Sequence, residues 1–121
     1  MALAALAGWL SARTAYASAP GLVHVEDSAY AELRVLDRAG RRSLLIDGGI
    51  HTQVDSLNRA PWLPYVVVSE LAAELFPAPS RILLVGLGGG SAAIQFSRRD
   101  WEVEAVEIDS AVTGVAHRYF S

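Results

Sequence analysis

The sequence predicts an α/β protein in which a β-hairpin region precedes a β-α-β-α unit, and three observations carry that prediction. Residues Tyr30 to Asp37 alternate, with Ala31, Leu33 and Val35 on one side and Glu32 and Arg34 on the other, the period of a half-buried strand. Beyond Pro61 and Pro64 the apolar spacing changes to threes and fours, the period of a helix. The short run Arg81 to Val85 then leads directly into Gly86-Leu87-Gly88-Gly89-Gly90-Ser91, a turn rich enough in glycine to join a strand to a helix at close quarters.

Taken in order, Leu22, Val23 and Val25 form a first strand-like run that ends at Glu26-Asp27-Ser28. The alternating strand follows, then turn chemistry at Asp37-Arg38-Ala39-Gly40 and a second strand over Ser43 to Ile46, together a hairpin. Asp47-Gly48-Gly49 breaks the pattern and Ile50 to Val54 resumes it, with His51 expected in a loop. The helix from Tyr65 places Val68, Leu71, Ala72, Leu75 and Phe76 at helical spacing, and Pro77 and Pro79 stop it. Arg81 to Val85 reads as a strand buried on both faces of a parallel sheet. A helix over Ala92 to Arg99 follows, with Ser91 as its cap, and then a strand over Glu102 to Ile108. Asp109 or Ser110 caps a last helix with Val112, Val115, Ala116, Tyr119 and Phe120 on one side. Gly114 within it costs about 1 kcal/mol relative to alanine. The later part is therefore the first βαβα half of a Rossmann-like domain, whose helices need further strands to cover them. The expected division is residues 1–20, 21–60 and 61–121.

Residues 1–20 stand apart. Met1 to Leu10 is almost wholly apolar, and Ala17-Ser18-Ala19 has the spacing of a cleavage site. A secretory signal carries its positive charge ahead of the apolar run, whereas Arg13 follows it here. A spanning helix needs about 20 apolar residues, roughly twice this run. An apolar leader or N-terminal helix is expected, with a poor signal peptide or part of a membrane region as alternatives. The expected compartment is the cytoplasm, with membrane attachment and export left open.

With 121 residues, 52% of them hydrophobic and 19% charged, the chain has material for a packed core. The net charge is −3 without a basic block, so no nucleic-acid partner is expected. The absence of cysteine excludes disulfides, thiolate metal sites and cysteine nucleophiles. His24, His51 and His117 are scattered, and no metal site is expected.

The chemistry concentrates in the strand at 81–85, the loop Gly86-x-Gly88-x-Gly90 with Gly89 inside it, and Glu107, 21 residues beyond Gly86. Glycines admit a ligand to the backbone without a Cβ in the way. A helix N-terminus offers amide donors, and a carboxylate at this distance can accept from ribose hydroxyls. NAD, FAD and S-adenosylmethionine-type ligands all use this device, although Ser91 in place of a third glycine argues against NAD. Asp47 and Asp55 flank the hairpin region and are equally well explained by turn chemistry. Trp62, beside prolines, reads as a packing residue, and Arg98-Arg99-Asp100 as a solvated helix end.

Several stretches in register resemble the spermidine synthase (polyamine aminopropyltransferase) family. They are Glu26-Asp27-Ser28-Ala29-Tyr30-Ala31-Glu32-Leu33-Arg34-Val35, Leu44 to Gln53 with Asp47-Gly48-Gly49-Ile50-His51-Thr52, and Pro64-Tyr65 before a helix. Arg81 to Ser91, Val106-Glu107-Ile108-Asp109 and Ala116-His117-Arg118-Tyr119-Phe120 continue the series. The resemblance covers residues 21 to 121 and implies an S-adenosylmethionine-dependent methyltransferase-like fold. In that family an aminopropyl group passes from decarboxylated S-adenosylmethionine to an amine. The resemblance implies that Gly86, Gly88, Gly89 and Gly90 hold the nucleoside, that Glu107 holds the ribose, and that His51 stands where a glutamine helps bind the sulfonium. The resemblance further implies that Tyr65 opens the helix bordering the amine pocket. Departures are His51 itself, Val66 and Val67 in place of a polar residue and a glutamate, and a glycine loop without aspartate. The family's catalytic aspartate lies beyond the second helix, so no catalytic residue is assigned and the isolated chain is expected to be inactive.

Two readings follow from different classes: a transferase-type protein binding an S-adenosyl co-substrate such as decarboxylated S-adenosylmethionine or methylthioadenosine, with no permanently bound cofactor, or a non-catalytic module for nucleoside binding or dimerisation. A nicotinamide-dependent oxidoreductase is a lesser third. The expected partners are a small nucleoside ligand and a second copy of the chain paired through the β region.

Overall fold

A computed structural model describes residues 19–77 and 79–121, so the apolar leader expected over 1–20 lies almost wholly outside the described residues. Strands β1 (Leu22–Asp27), β2 (Glu32–Arg38), β3 (Arg41–Ile46) and β4 (Gly49–Asp55) form an antiparallel sheet in the order β1-β2-β3-β4. Its two inner turns are two-residue loops. Arg38 pairs with Arg41 across Ala39-Gly40, and Ile46 with Gly49 across Asp47-Gly48. Both central residues have positive φ, 51° and 74° in the first loop and 49° and 81° in the second. That is the primed-turn geometry which matches the twist of the flanking strands. The β2–β3 turn is thus shorter than the four residues read from sequence. Asp47 also fastens β2, its Oδ1 accepting from the Glu32 N–H at 3.0 Å.

Leu44 pairs with Thr52 while Leu45 pairs with Ile50, which leaves His51 as the extra residue of a bulge. His51 therefore lies within β4 and not in a loop.

The chain continues through α1 (Pro64–Ala73), β5 (Arg81–Val85), α2 (Ser91–Ser97), β6 (Glu102–Val106) and α3 (Ser110–Tyr119). β5 and β6 pair in parallel as a separate two-stranded sheet. The architecture is accordingly mixed α/β, an antiparallel meander with a small parallel unit. α2 begins one residue earlier and ends two residues earlier than expected, and β6 ends two residues short of the expected Ile108. Gly90, and not Ser91, is the N-cap of α2, and Ser91 is buried. Asp109 caps α3 as anticipated, its Oδ1 accepting from the Ala111 N–H at 2.9 Å.

Two hydrophobic clusters hold this arrangement. Leu33, Val35, Leu44 and Val54 from the meander pack under Val112, Val115 and Phe120 of α3 and its C-cap. Each such side chain contributes about 1.5–3 kcal/mol by leaving water. Arg42 reinforces the seam. Its guanidinium spans both oxygens of Asp37 at 2.7 and 2.5 Å and donates to the Tyr119 carbonyl at 2.9 Å, at the negative end of α3. The Arg42 hydrogen bonds hold the Asp37 carboxyl below its ordinary range.

The second cluster, Ala73, Phe96 and Trp101 with Ile82 and Val103 against it, lies between the parallel pair and α1 and α2. Arg99 ties α2 to α1 by pairing with Glu74 and, at 3.7 Å, with Glu70, so the expected solvated helix end carries an ion-pair network. Two expectations are corrected here. β5 is not buried on both faces: Ile82 and Leu84 are half-buried, whereas Leu83 is 57% and Val85 84% exposed. Helices cover one side of the pair and nothing among the described residues covers the other. In α1 the residues singled out by spacing, Val68 and Leu71, are exposed, as are Leu75 and Phe76 beyond its end, while Val66 and Ala73 are buried. The segment Pro-Tyr-Val-Val-Val is apolar all round, so spacing does not select its inner face.

Candidate functional site

The glycine loop between β5 and α2 is held from several directions. The Gly86 N–H donates to the Val106 carbonyl at 2.8 Å, continuing the parallel ladder by one residue. The Leu87 N–H donates to Glu107 Oε2 at 2.8 Å. The Gly89 N–H donates to the Thr52 hydroxyl at 2.8 Å, and the Gly90 N–H to the Leu87 carbonyl at 3.0 Å. The loop amides are thus spent largely on the protein itself, and what the loop offers a ligand is a backbone without side chains. Gly86 has φ +90° and a Cβ there would meet nothing within 4 Å, so the approach to it is open. Gly89 differs, because a Cβ would lie 2.6 Å from Thr52 Cγ2 and 3.1 Å from Phe120 Cδ1. That glycine is demanded by packing.

Glu107 follows β6 directly and turns back over the loop. Besides Leu87, its Oε1 accepts from the Asp109 N–H at 3.1 Å. Partial burial opposes its ionisation, but the amides of Leu87, Asp109, Ile108 and Gly88 outweigh that cost and hold the carboxyl below its ordinary value. An ionised carboxylate has about four acceptor positions. The hydrogen bonds from Leu87 and Asp109 take two of them, and the Ile108 and Gly88 amides act on the carboxylate more weakly. Asp109, itself buried, also accepts from the Ser28 hydroxyl at 2.6 Å, which links the acid's neighbour to the strand connection β1–β2.

Two concavities adjoin this loop. One, about 150 Å³, lies between α2 and α3 and is lined by Leu87, Ala93, Ile94, Ala116 and His117 among others. The other, about 420 Å³, is a groove over Val85, Gly86, Val106, Glu107 and Ile108. Small-molecule sites usually run from about 300 Å³ upward, so the groove holding Gly86 and Glu107 has the size for a nucleoside and the smaller cleft does not.

The sequence of this chain is 34% identical over 108 residues to the polyamine aminopropyltransferase of Vibrio vulnificus (strain CMCP6), an alignment covering 82% of this chain and 36% of that protein. The chain is a relative of the polyamine aminopropyltransferases. It spans about a third of the length of that curated relative. No protein-family model matches it.

Of the residues singled out against the aminopropyltransferase pattern, the structure brings Gly86, Gly88, Gly89, Gly90 and Glu107 into one loop cluster. His51 is exposed on the bulge of β4, one residue from Thr52, which touches the loop. Tyr65, exposed near the start of α1, makes no contact with the cluster among those described; its carbonyl accepts from the Ser69 hydroxyl at 2.8 Å. Val66, at a position polar in the family, is buried, and its neighbour Val67 is exposed. Asp55 is a turn residue, accepting from the Leu57 and Asn58 amides at 2.9 and 3.1 Å. Trp62 is half-exposed, with the Arg41 guanidinium 3.8 Å above its ring. Among the described residues no cluster of acids and histidines could hold a metal ion, and no helix is long and apolar enough to cross a membrane.

The residue that sequence reasoning passed over is Thr52. The available signal was its parity: Thr52 and Val54 fall on the inner side of β4, and a threonine at a buried strand position needs a partner for its hydroxyl.

Proposed function

We propose that this chain carries the nucleoside-binding part of an aminopropyltransferase-like protein, in which a Rossmann-like half-domain receives the adenosine portion of an S-adenosyl compound. The observation that carries the reading is Glu107, kept ionised beside an open glycine at the floor of a groove of suitable volume. Its remaining acceptor positions face the task of pairing two ribose hydroxyls, while Gly86 lets the ligand lie against the backbone. In the whole protein the reaction would be aminopropyl transfer from decarboxylated S-adenosylmethionine. A carbon–nitrogen bond to the acceptor amine forms as the carbon–sulfur bond of the sulfonium breaks, methylthioadenosine leaves, and the amine loses a proton. The groups that would hold the amine and take that proton are not among those assigned here, so the isolated chain is proposed to bind and not to turn over.

Calorimetric titration with methylthioadenosine tests the reading. The full chain should bind weakly, and Glu107→Gln, which preserves the shape but not the charge, should bind more weakly still. Equal binding by both proteins removes Glu107 from the site. No binding by a folded wild-type sample leaves the module reading, which the exposed row Leu83, Val85, Val106 and Ile108 favours because apolar patches of this kind mark association surfaces.

A further inference from the structure

Thr52 stands in a different sheet from the glycine loop and 37 residues before the amide it accepts from. Its side chain is 1% exposed, and its hydroxyl takes the buried Gly89 N–H at 2.8 Å. Its methyl group occupies the space into which a Cβ on Gly89 would project, at 2.6 Å, and its Oγ1 lies 3.0 Å from where a Cβ on Gly88 would stand. One side chain therefore fits against two consecutive glycines at the apex of the loop, once by hydrogen bonding and once by shape.

The other fastenings of the loop come from the parallel unit itself: the Val106 carbonyl for Gly86, Glu107 for Leu87, and the Leu87 carbonyl for Gly90. Among the described residues Thr52 supplies the hydrogen bond that ties the apex to the meander, and without it the buried Gly89 N–H loses its acceptor. Building on the nucleoside-binding reading, we propose that the Thr52 hydroxyl is a positioning group for the nucleoside site, fixing the glycine-loop apex from the neighbouring sheet so that Gly86 and Glu107 present a preformed groove. Thr52 touches no ligand in this scheme. It acts by sparing the ligand the ordering of the loop.

Two variants of opposite character separate the hydroxyl from the methyl. Thr52→Val keeps the shape and deletes the acceptor; Thr52→Ser keeps the acceptor and deletes the methyl. Each is titrated as the full chain with methylthioadenosine by calorimetry, with amide hydrogen exchange at Gly89 followed by NMR in the free protein. Thr52→Val should lose roughly tenfold in affinity, the scale of one lost hydrogen bond, and protection at Gly89 should fall by about the same factor. Thr52→Ser should stay within about twofold of wild type in both readouts. Wild-type affinity in Thr52→Val overturns the proposal, as does a serine variant as weak as the valine one, which would make the methyl contact decisive. Should the valine variant fail to fold, the serine variant decides alone: retained affinity supports the hydroxyl and lost affinity overturns it. A folded wild type that does not bind refutes the nucleoside reading itself, and this inference with it, a result distinct from binding that is indifferent to Thr52.

Discussion

The two sheets of this molecule are built by opposite rules. The meander β1–β4 is made from neighbours in sequence joined by short turns, two of them of two residues, and its inner face is closed by α3 over Leu33, Val35, Leu44 and Val54. The pair β5–β6 is parallel, needs a helix to make its crossover, and has one face packed and one bare. Antiparallel sheets tolerate water on one side, whereas parallel sheets are ordinarily covered on both. The meander thus carries the larger share of the described core, while the parallel pair carries the candidate site at its edge and leaves apolar surface exposed beside it.

Substitutions can break or sharpen this contrast. The largest effect is expected at Phe120, 1% exposed and central to the meander's core. Phe120→Ala should lower unfolding free energy by about 3–5 kcal/mol in urea titrations, and a loss below about 1 kcal/mol would show that α3 is not the lid of the sheet. Gly89→Ala comes next. It forces a Cβ against Thr52 and Phe120 and should cost about 1–3 kcal/mol, a change read as a lower midpoint in the same titration.

Acid should act on both regions. Asp37 and Glu107 each have a folded-state value below the ordinary carboxylate one, so each contributes stability that is complete above that ordinary value and is lost as pH falls through the folded value. Stability measured from about pH 6 down to about pH 3 should fall, and Asp37→Asn and Glu107→Gln should each flatten that slope, the first through the meander seam and the second through the glycine loop. An unchanged slope in either variant would deny its carboxylate a stabilising charge. The smallest change in stability is expected on the bare face, where Val85→Lys should stay within about 0.5 kcal/mol of wild type. The same variant should reduce self-association, seen by sedimentation at micromolar concentration. A wild type that sediments as a well-folded monomer would show that the exposed row does not drive pairing.

Much of the meander was legible because its rules are local. Alternation placed Leu33 and Val35 inside, and Asp47-Gly48 is a turn that the two residues specify between them. The order strand, glycine loop, helix, strand, acid was equally legible, as was the inner side of α3, where polar residues alternate with Val112, Val115 and Ala116. Reasoning from sequence failed where the pattern carries no contrast. The valines of α1 surround the helix, so spacing named Val68 and Leu71 although the fold buries Val66 and Ala73. It failed again where the deciding partner lies far along the chain. No local signal pairs Thr52 with Gly89 or Ser28 with Asp109, and none reveals that the loop amides are already engaged by Glu107. The two faces of β5 could not be told apart either, because coverage depends on which other elements lie against it.

The seam at Arg42 bears on how the molecule assembles in time. The guanidinium reaches a carbonyl 77 residues away, and the Ser28 hydroxyl reaches a carboxylate 81 residues away, so a sheet from the early part of the chain is closed by a helix from the late part. Everything from α1 to β6 lies in the chain between those partners, so making these contacts closes a long loop. High sequence separation of this kind slows folding, since loop entropy is lost before the contacts are gained. On a ribosome, the meander would emerge with its inner face open to water and wait for residue 120, an interval in which a chaperone or another nascent chain has the first opportunity to cover it.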